Sequence, residues 1–214
     1  MEMRRESKVP GLVRVFFCGT VLFGGIAAAV ADPDQDYQRA LEAYLSDDMI
    51  SSAVDAQKAA DAGHIKGMVL LADILDRAEE DAEALKWYRK AADGGSAEAA
   101  LGLGKMLANG EGGKKDPDEA RKWILKAVEQ NFPDAMVVLA NLHRKGEMGV
   151  QKSPEKALEL LKRAAEAGHP PAIKEMIRVF EGGLLGQPKD PAQVKSWQQS
   201  LEKVSPKPAA PKKP

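Results

Sequence analysis

Three histidines are the side chains of this sequence best suited to proton transfer or metal binding, and their spacing favours neither role. No two of His64, His143 and His169 lie on one predicted helix. A serine or cysteine nucleophile needs a base within hydrogen-bond reach, usually histidine, and a zinc site needs three or four ligands at defined spacings. His64 and His169 follow a glycine at a position where sibling segments carry Ser96 and Phe132. We therefore predict no catalytic residue and no metal site.

A glycine-rich segment at Gly112 and Gly113 could suggest a phosphate-binding loop. The P-loop pattern fails, because residue 108 is alanine, residue 115 is lysine and no strand leads into the segment. These glycines are better explained by a helix end and a loop that need positive φ. The carboxylates within residues 79–83 form a charge run of the kind that is normally solvated. We predict no cofactor and no enzymatic activity.

Composition excludes several classes of protein. The chain has 214 residues, with 31 Lys and Arg against 32 Asp and Glu, so it lacks the basic excess of a nucleic-acid binder. Charged residues make up 29% and apolar residues 44%, values typical of globular domains rather than of disordered or multi-spanning membrane proteins. The single cysteine, Cys18, rules out a disulfide framework.

Residues 1–31 have the pattern of a signal peptide. Four basic residues precede an apolar stretch over residues 15–31, which ends in the small-x-small sequence Ala29-Val30-Ala31. We predict cleavage after Ala31, a periplasmic or secreted protein, and no stable membrane insertion afterwards. The alternative is an uncleaved anchor, although a stretch of 17 residues is short for a spanning helix, which needs about 20.

The C-terminal end differs in composition from the rest. Residues 205–214, SPKPAAPKKP, contain four prolines and three lysines, which predicts a disordered or polyproline tail. Residues 32–204, by contrast, carry 24 basic and 30 acidic side chains. A tail that tethers the protein to an anionic polymer or lipid is one alternative for its function.

The segment between these ends is repetitive. AADAG ending at Gly63 recurs as AADGG at Gly95, AVEQN at Asn131 and AAEAG at Gly168, at intervals of 32, 36 and 37 residues. Glycine and asparagine tolerate positive φ, so each of these positions predicts the end of a helix. The domain spans 32–204, and its predicted repeats are 34–63, 64–95, 96–131, 132–168 and 169–204.

Predicted helix starts recur in register with these ends. Asp116-Pro117, Ser153-Pro154 and Asp190-Pro191 each place an N-cap acceptor before a proline, at intervals of 37 residues. Glu119 and Gln193 predict capping boxes at the first and third of these starts.

Large apolar residues mark one position on the second helix of the last four repeats. Trp87, Trp123, Leu160 and Trp197 are spaced by 36, 37 and 37 residues, with alanines about one turn away. Small residues that receive large ones are typical of closely packed helices. We predict that the tryptophans lie in the core.

Together, these repeated residues resemble the Sel-one-like repeat, a relative of the tetratricopeptide repeat with a longer loop between its two helices. The matching residues in 97–131 are Leu103-Gly104, Gly110-Glu111-Gly112, Asp116, Ala120, Trp123 and Lys126-Ala127. The resemblance implies an all-α fold, a right-handed α-α solenoid of stacked helical hairpins. About four and a half repeats cover nearly all of residues 34–204.

Such an array has a concave face that is lined by the first helix of each repeat. By this resemblance, the predicted partner-binding residues are Val69, Leu70, Asp73, Asp76, Leu101, Lys105, Val138, Asn141, Arg144, Lys174, Arg178 and Glu181. Two equivalent positions accept charge in repeat after repeat, which a core position could not do, so both are expected to be exposed. An ordinary solvated face is the alternative.

The function that follows is an exported, non-catalytic scaffold that binds another protein or peptide of the cell envelope. The alternative is a hydrolase of cell-wall-type substrates, since some exported proteins that the sequence resembles act on β-lactams. Those proteins are stapled by disulfides, whereas residues 32–214 of this chain contain no cysteine. The identity of the partner and the oligomeric state are not predicted.

Overall fold

The computed structural model describes residues 32–205, and this part of the chain is helical, with no strand. The predicted all-α class is confirmed. The described helices are α1 (Pro33–Leu45), α2 (Met49–Asp61), α3 (Ile65–Arg77), α4 (Asp81–Asp93), α5 (Ala97–Asn109), α6 (Pro117–Glu129), α7 (Pro133–Lys145), α8 (Pro154–Glu166), α9 (Pro170–Gly182) and α10 (Pro191–Val204).

Two predicted segments lie outside the described residues. These are the signal peptide, 1–31, and the C-terminal tail beyond Ser205. Within residues 32–205, no helix has the length and apolar character needed to cross a membrane.

The predicted starts of three second helices are confirmed. Helices α6, α8 and α10 begin at Pro117, Pro154 and Pro191, since proline is preorganised for a first helical position, where its missing N–H costs nothing. The Ser153 side chain accepts a hydrogen bond from the N–H of Lys156, which satisfies one of the free donors at the start of α8.

One half of the predicted capping box at Gln193 is observed, because the Asp190 side chain accepts a hydrogen bond from the N–H of Gln193 at 3.1 Å. In the other half of a capping box, the side chain three residues after the N-cap residue accepts a hydrogen bond from the backbone N–H of the N-cap residue. Here the N–H of Asp116 is donated to the carbonyl of Leu107, and the N–H of Asp190 to that of Phe180, at 2.9 and 3.0 Å. Glu119 instead accepts the indole N–H of Trp123 at 3.1 Å. These backbone bonds anchor each interhelical loop to the helix before it.

The predicted helix ends are also confirmed. Gly63, Gly95, Asn131 and Gly168 all have positive φ, between 58° and 93°. The N–H of the residue after Gly63 is donated to the carbonyl of Ala59, which closes the end of α2. One residue in the left-handed region therefore reverses the chain after each of these second helices.

Helices α1 to α5 lie in the first of two compact units, which divide between Asp116 and Pro117. In this unit, consecutive helices pack against one another. Trp87 lies in its core, as predicted, with 9% of its surface exposed. The hairpin of α1 and α2 is polar by comparison, because Arg39 pairs with both Asp36 and Asp55, and Asp55 occupies the register of Trp87.

Helices α6 to α10 lie in the second unit, where consecutive helices again pack against one another. Trp123 is buried with 8% of its surface exposed, and Leu160 with 7%. Trp197 differs from the prediction, since it is only half-buried and α10 contains no buried residue. As the last described helix, α10 packs mainly against α9.

Candidate interaction surface

Three of the predicted partner-binding residues belong to the core. Val69 and Leu70 on α3 have 5% and 7% of their surface exposed, and Leu101 on α5 has 4%. Helix α3 packs against α2 and α4, and α5 packs against α4, so these side chains are covered by neighbouring helices. These three side chains contribute to the core, and their participation in binding stays a prediction.

The charged positions of the predicted face are accessible. Exposed side chains are Asp76, Lys105, Arg144, Lys174, Arg178 and Glu181, and half-buried ones are Asp73, Val138 and Asn141. Their accessibility fits a surface role, and their participation in binding stays a prediction.

Asp73 is linked to the core of the first unit by a hydrogen bond that sequence reasoning missed. The Tyr88 hydroxyl on α4 donates to the carboxylate of Asp73 on α3. Burial raises the pKa of Asp73, because the charged form loses water, while the bond from Tyr88 acts in the opposite direction. Burial and the nearby Asp73 charge raise the pKa of Tyr88, so this hydroxyl keeps its proton and remains a donor.

The ring of Tyr88 also explains a glycine on the next helix. A Cβ placed on Gly102 of α5 would lie 2.6 Å from Cε1 of that ring, which no real Cβ contact allows. Gly102 is in the register of Leu70 and Val138 in the neighbouring repeats. The absence of a side chain at residue 102 is therefore matched to the bulk of Tyr88.

The first unit presents an acidic surface beside Asp73. The pKa of Asp76 is raised by burial first and then by the like charges of Glu111, Asp81 and Asp73. Residues 32–116 carry 18 Asp and Glu against 10 Lys and Arg, so the whole unit has a negative net charge.

The second unit has a different arrangement, centred on Glu175 of α9. Its carboxylate accepts a hydrogen bond from Arg178 Nη1 at 2.6 Å and lies 3.9 Å from Nη1 of Arg144 on α7. The Glu175 side chain is 28% exposed, whereas Arg144 and Arg178 are 47% and 69% exposed. Glu175 shares the register of Leu70 and Val138, and a charge in that otherwise uncharged column is the sequence signal that could have found it.

His64 has a structural role at the start of α3. Its Nδ1 accepts a hydrogen bond from the N–H of Gly67 at 2.9 Å, and Nε2 lies 3.0 Å from Asp34 Oδ1. The Ser96 side chain does the same at the start of α5, where it accepts from the N–H of Ala99 at 3.1 Å. The position after the helix-ending glycine is therefore used as an N-cap in these two repeats.

The other two histidines also have local partners. Nε2 of His169, at the start of α9, lies 3.1 Å from Asp134 Oδ1 on α7. His143 Nδ1 lies 2.9 Å from the carbonyl oxygen of Gln151, so it holds the loop between α7 and α8. Within residues 32–205, no group of three or more His, Cys, Asp or Glu side chains could hold a metal ion.

These features describe an array of helical hairpins whose first helices carry accessible charged side chains over a packed core. The family model for the Sel1 repeat matches residues 78–96, 97–132 and 133–169. The resemblance is confirmed: the chain carries three Sel1 repeats, in the register that the helix ends define. Sel1 repeats are generally scaffolds for protein interaction.

Two curated proteins share part of this sequence. Chitin synthase regulatory factor 3 of Schizosaccharomyces pombe is 43% identical over 53 residues, which are 25% of this chain and 6% of that protein. The exopolysaccharide production negative regulator of Rhizobium leguminosarum bv. viciae is 36% identical over 56 residues, 26% of this chain and 21% of that protein. The matched segments are small parts of both relatives.

Two solved structures share the fold. A Sel1 repeat protein from Oxalobacter formigenes superposes with a TM-score of 0.69 at 24% identity, over 79% of this chain and 51% of that one. A protective antigen present in uropathogenic Escherichia coli strains, which displays an SLR fold, gives a TM-score of 0.61 at 24% identity, over 80% and 38%. These similarities establish the fold of the chain.

Proposed function

We propose that this protein is an exported, non-catalytic scaffold that binds another protein or peptide of the cell envelope through the exposed faces of its first helices. The observation that carries this proposal is that one equivalent position of these helices is accessible in each unit. Lys105 on α5 and Arg178 on α9 are exposed there, and Asn141 on α7 is half-buried, while adjacent positions are packed into the core. A charged side chain at such a position contributes little to packing and is available to a partner.

The physical basis of binding is preorganisation. The backbone on either side of each exposed side chain is held by helix packing and by hydrogen bonds at the helix ends. Little conformational freedom is therefore lost when a partner docks. Affinity then comes from a few anchor contacts rather than from the whole area. Helices of 13 residues, each fixed by its neighbours, provide such a support.

The names of the relatives favour regulation through binding over catalysis. Both are described as regulators, one of chitin synthase and one of exopolysaccharide production. The competing function, hydrolysis of a β-lactam, is tested by incubating the purified protein with a chromogenic β-lactam. We expect no turnover above buffer, and turnover that disappears on replacing one polar residue of the first helices would overturn the proposal.

Site-specific photo-crosslinking in cells tests the binding surface directly. A photoreactive amino acid is placed at residue 105 or 178, and, as a control, at the exposed residue 122 on the second helix α6. We expect discrete adducts with another protein from the first two positions and none from the third. Equal labelling from all three positions would contradict a dedicated surface on the first helices.

Export is the second part of the proposal. Helix α1 begins at Pro33, and the Asp32 side chain accepts hydrogen bonds from the N–H groups of Asp34 and Gln35 at 3.1 and 3.4 Å. Cleavage after Ala31 would leave this cap intact. Cell fractionation followed by N-terminal sequencing should find the protein in the envelope fraction with Asp32 as its first residue. An unprocessed chain in the cytosol would refute this part alone.

A further inference from the structure

The α7–α9 face of the second unit, defined as Val137, Val138, Asn141 and Arg144 of α7 with Lys174, Glu175, Arg178 and Glu181 of α9, contains two arginines that share one carboxylate. Arg144 and Arg178 come from different helices, and Glu175 contacts both. Each guanidinium has five N–H donors in a planar fork, so a single carboxylate leaves most of this donor capacity facing solvent. The contact between Glu175 and Arg144, at 3.9 Å, is also longer than a hydrogen bond.

The α7–α9 face carries three basic side chains, Arg144, Lys174 and Arg178, against two acidic ones, Glu175 and Glu181. Lys174, one residue before Glu175, is exposed on the same helix, and the residues of this unit, 117–205, carry 14 Lys and Arg against 12 Asp and Glu. The first unit has the opposite balance, with 18 acidic side chains against 10 basic ones. The second unit is therefore slightly basic in composition, whereas the first is acidic.

Partly accessible apolar side chains lie about two turns before Arg144 on α7. Val137 and Val138 are half-buried, whereas Leu70 and Leu101, at equivalent positions in the first unit, are buried. The α7–α9 face thus offers partly accessible aliphatic groups on the helix that carries Arg144. A segment that carries carboxylates and aliphatic side chains complements both features, and a basic segment would meet like charge.

We propose that the α7–α9 face binds an acidic peptide segment of a partner protein, with one carboxylate of that segment lying between the guanidinium groups of Arg144 and Arg178. This proposal rests on the function proposed above and names the chemistry of its partner. Glu175 holds the two arginines in position and competes with the incoming carboxylate for them. It therefore sets the affinity for acidic segments without being needed for the fold.

A matched set of peptides tests the chemistry. Three labelled octapeptides share the same valine positions and carry Glu, Gln or Lys at the others, and their binding to the purified protein is followed by fluorescence anisotropy. We expect the Glu peptide to bind most tightly and the Lys peptide most weakly. The preference should shrink as salt is raised, since exposed charges are screened. Equal binding of the three peptides, or no binding of the Glu peptide, would overturn the proposal.

Variants of the α7–α9 face locate the interaction. The double variant Arg144→Glu/Arg178→Glu should weaken binding of the Glu peptide by about tenfold or more, and Arg144→Gln/Arg178→Gln should weaken it to a smaller extent. Glu175→Gln should tighten binding, because it frees both arginines, which a merely structural residue would not do. The control Lys122→Glu reverses one basic side chain on α6, half the charge change of the double variant, and should leave affinity within about twofold.

The outcomes separate this proposal from the broader one. If the double variant binds the Glu peptide as well as Lys122→Glu does, the acidic-segment proposal is wrong, whatever crosslinks form at residue 178. If crosslinks form there with a partner whose contacting segment lacks acidic residues, the scaffold function stands and this proposal fails. Thermal melts followed by circular dichroism confirm that each variant is folded; all four substituted positions are at least partly exposed.

Discussion

The hydroxyl of Tyr88 donates a hydrogen bond to the carboxylate of Asp73. The two residues are 15 positions apart in the sequence and lie on the adjacent helices α4 and α3. Tyr88 is 6% exposed, so this bond joins a core tyrosine to a half-buried acid on the predicted interaction surface. It fixes the rotation of α3 relative to α4, because a hydroxyl on one helix must meet a carboxylate on the other.

Replacing Tyr88 by Phe removes only the donor. The Asp73 carboxylate then remains partly buried without that bond, which should lower the free energy of unfolding by about 1–3 kcal/mol. Urea denaturation of the purified proteins measures this difference. An unchanged midpoint would indicate that water replaces the hydroxyl at no cost.

The raised pKa of Asp73 predicts how stability depends on pH. Its ordinary value is 3.8, and burial raises the pKa in the folded protein. Between the two values the folded state binds more protons than the unfolded state, so the stability contributed by this group is lost as pH rises through that window. Asp73→Asn keeps an acceptor for Tyr88 and does not titrate.

Asp73→Asn should therefore be more stable than the unmodified protein near pH 7, and the two should converge below about pH 3, where Asp73 is protonated in both states. Denaturation curves at several pH values test this. A variant that is less stable near pH 7 would show that the ionised carboxylate is favoured in the folded protein.

The pairing of Gly102 with Tyr88 predicts a compensating double substitution. The equivalent positions in the second unit carry Val138 and Ile124. Gly102→Val should destabilise the protein by about 1–3 kcal/mol, because its side chain meets the Tyr88 ring. Adding Tyr88→Ile should recover part of that loss, with a coupling energy of about 0.5–3 kcal/mol in a double-mutant cycle. Strict additivity would mean that the two residues do not contact each other in solution.

The tryptophans of the second unit should differ in their contribution to stability. Trp123→Ala removes a buried ring whose indole N–H bonds to Glu119, and should cost roughly 3–5 kcal/mol. Trp197→Ala should cost less, since α10 buries no residue. Arg178→Ala should be nearly neutral for stability, within about 0.5 kcal/mol. Thermal melts that reverse this order would show that the faces of these helices are wrongly assigned.

Short-range patterns were enough to place most helix boundaries. The proline that follows an Asp or Ser, and the glycine or asparagine at the other end, act through φ preferences and through donors within three residues, which are local properties. The same patterns predicted the capping box of α10 only in part, because the Asp190 side chain accepts the N–H of Gln193, whereas the N–H of Asp190 is taken by a carbonyl of the preceding helix. That contact depends on how the loop folds back.

Taken alone, then, the sequence determined an array of helical hairpins, its register, and which side of each second helix is apolar, because repetition and local propensity specify these without knowledge of neighbours. Only the tertiary structure decided which residues of the first helices remain accessible. Leu70 and Val138 share one register, yet Leu70 is buried and Val138 is half-exposed. The reason is that burial depends on the side chains of the helices packed alongside, and those differ from one repeat to the next.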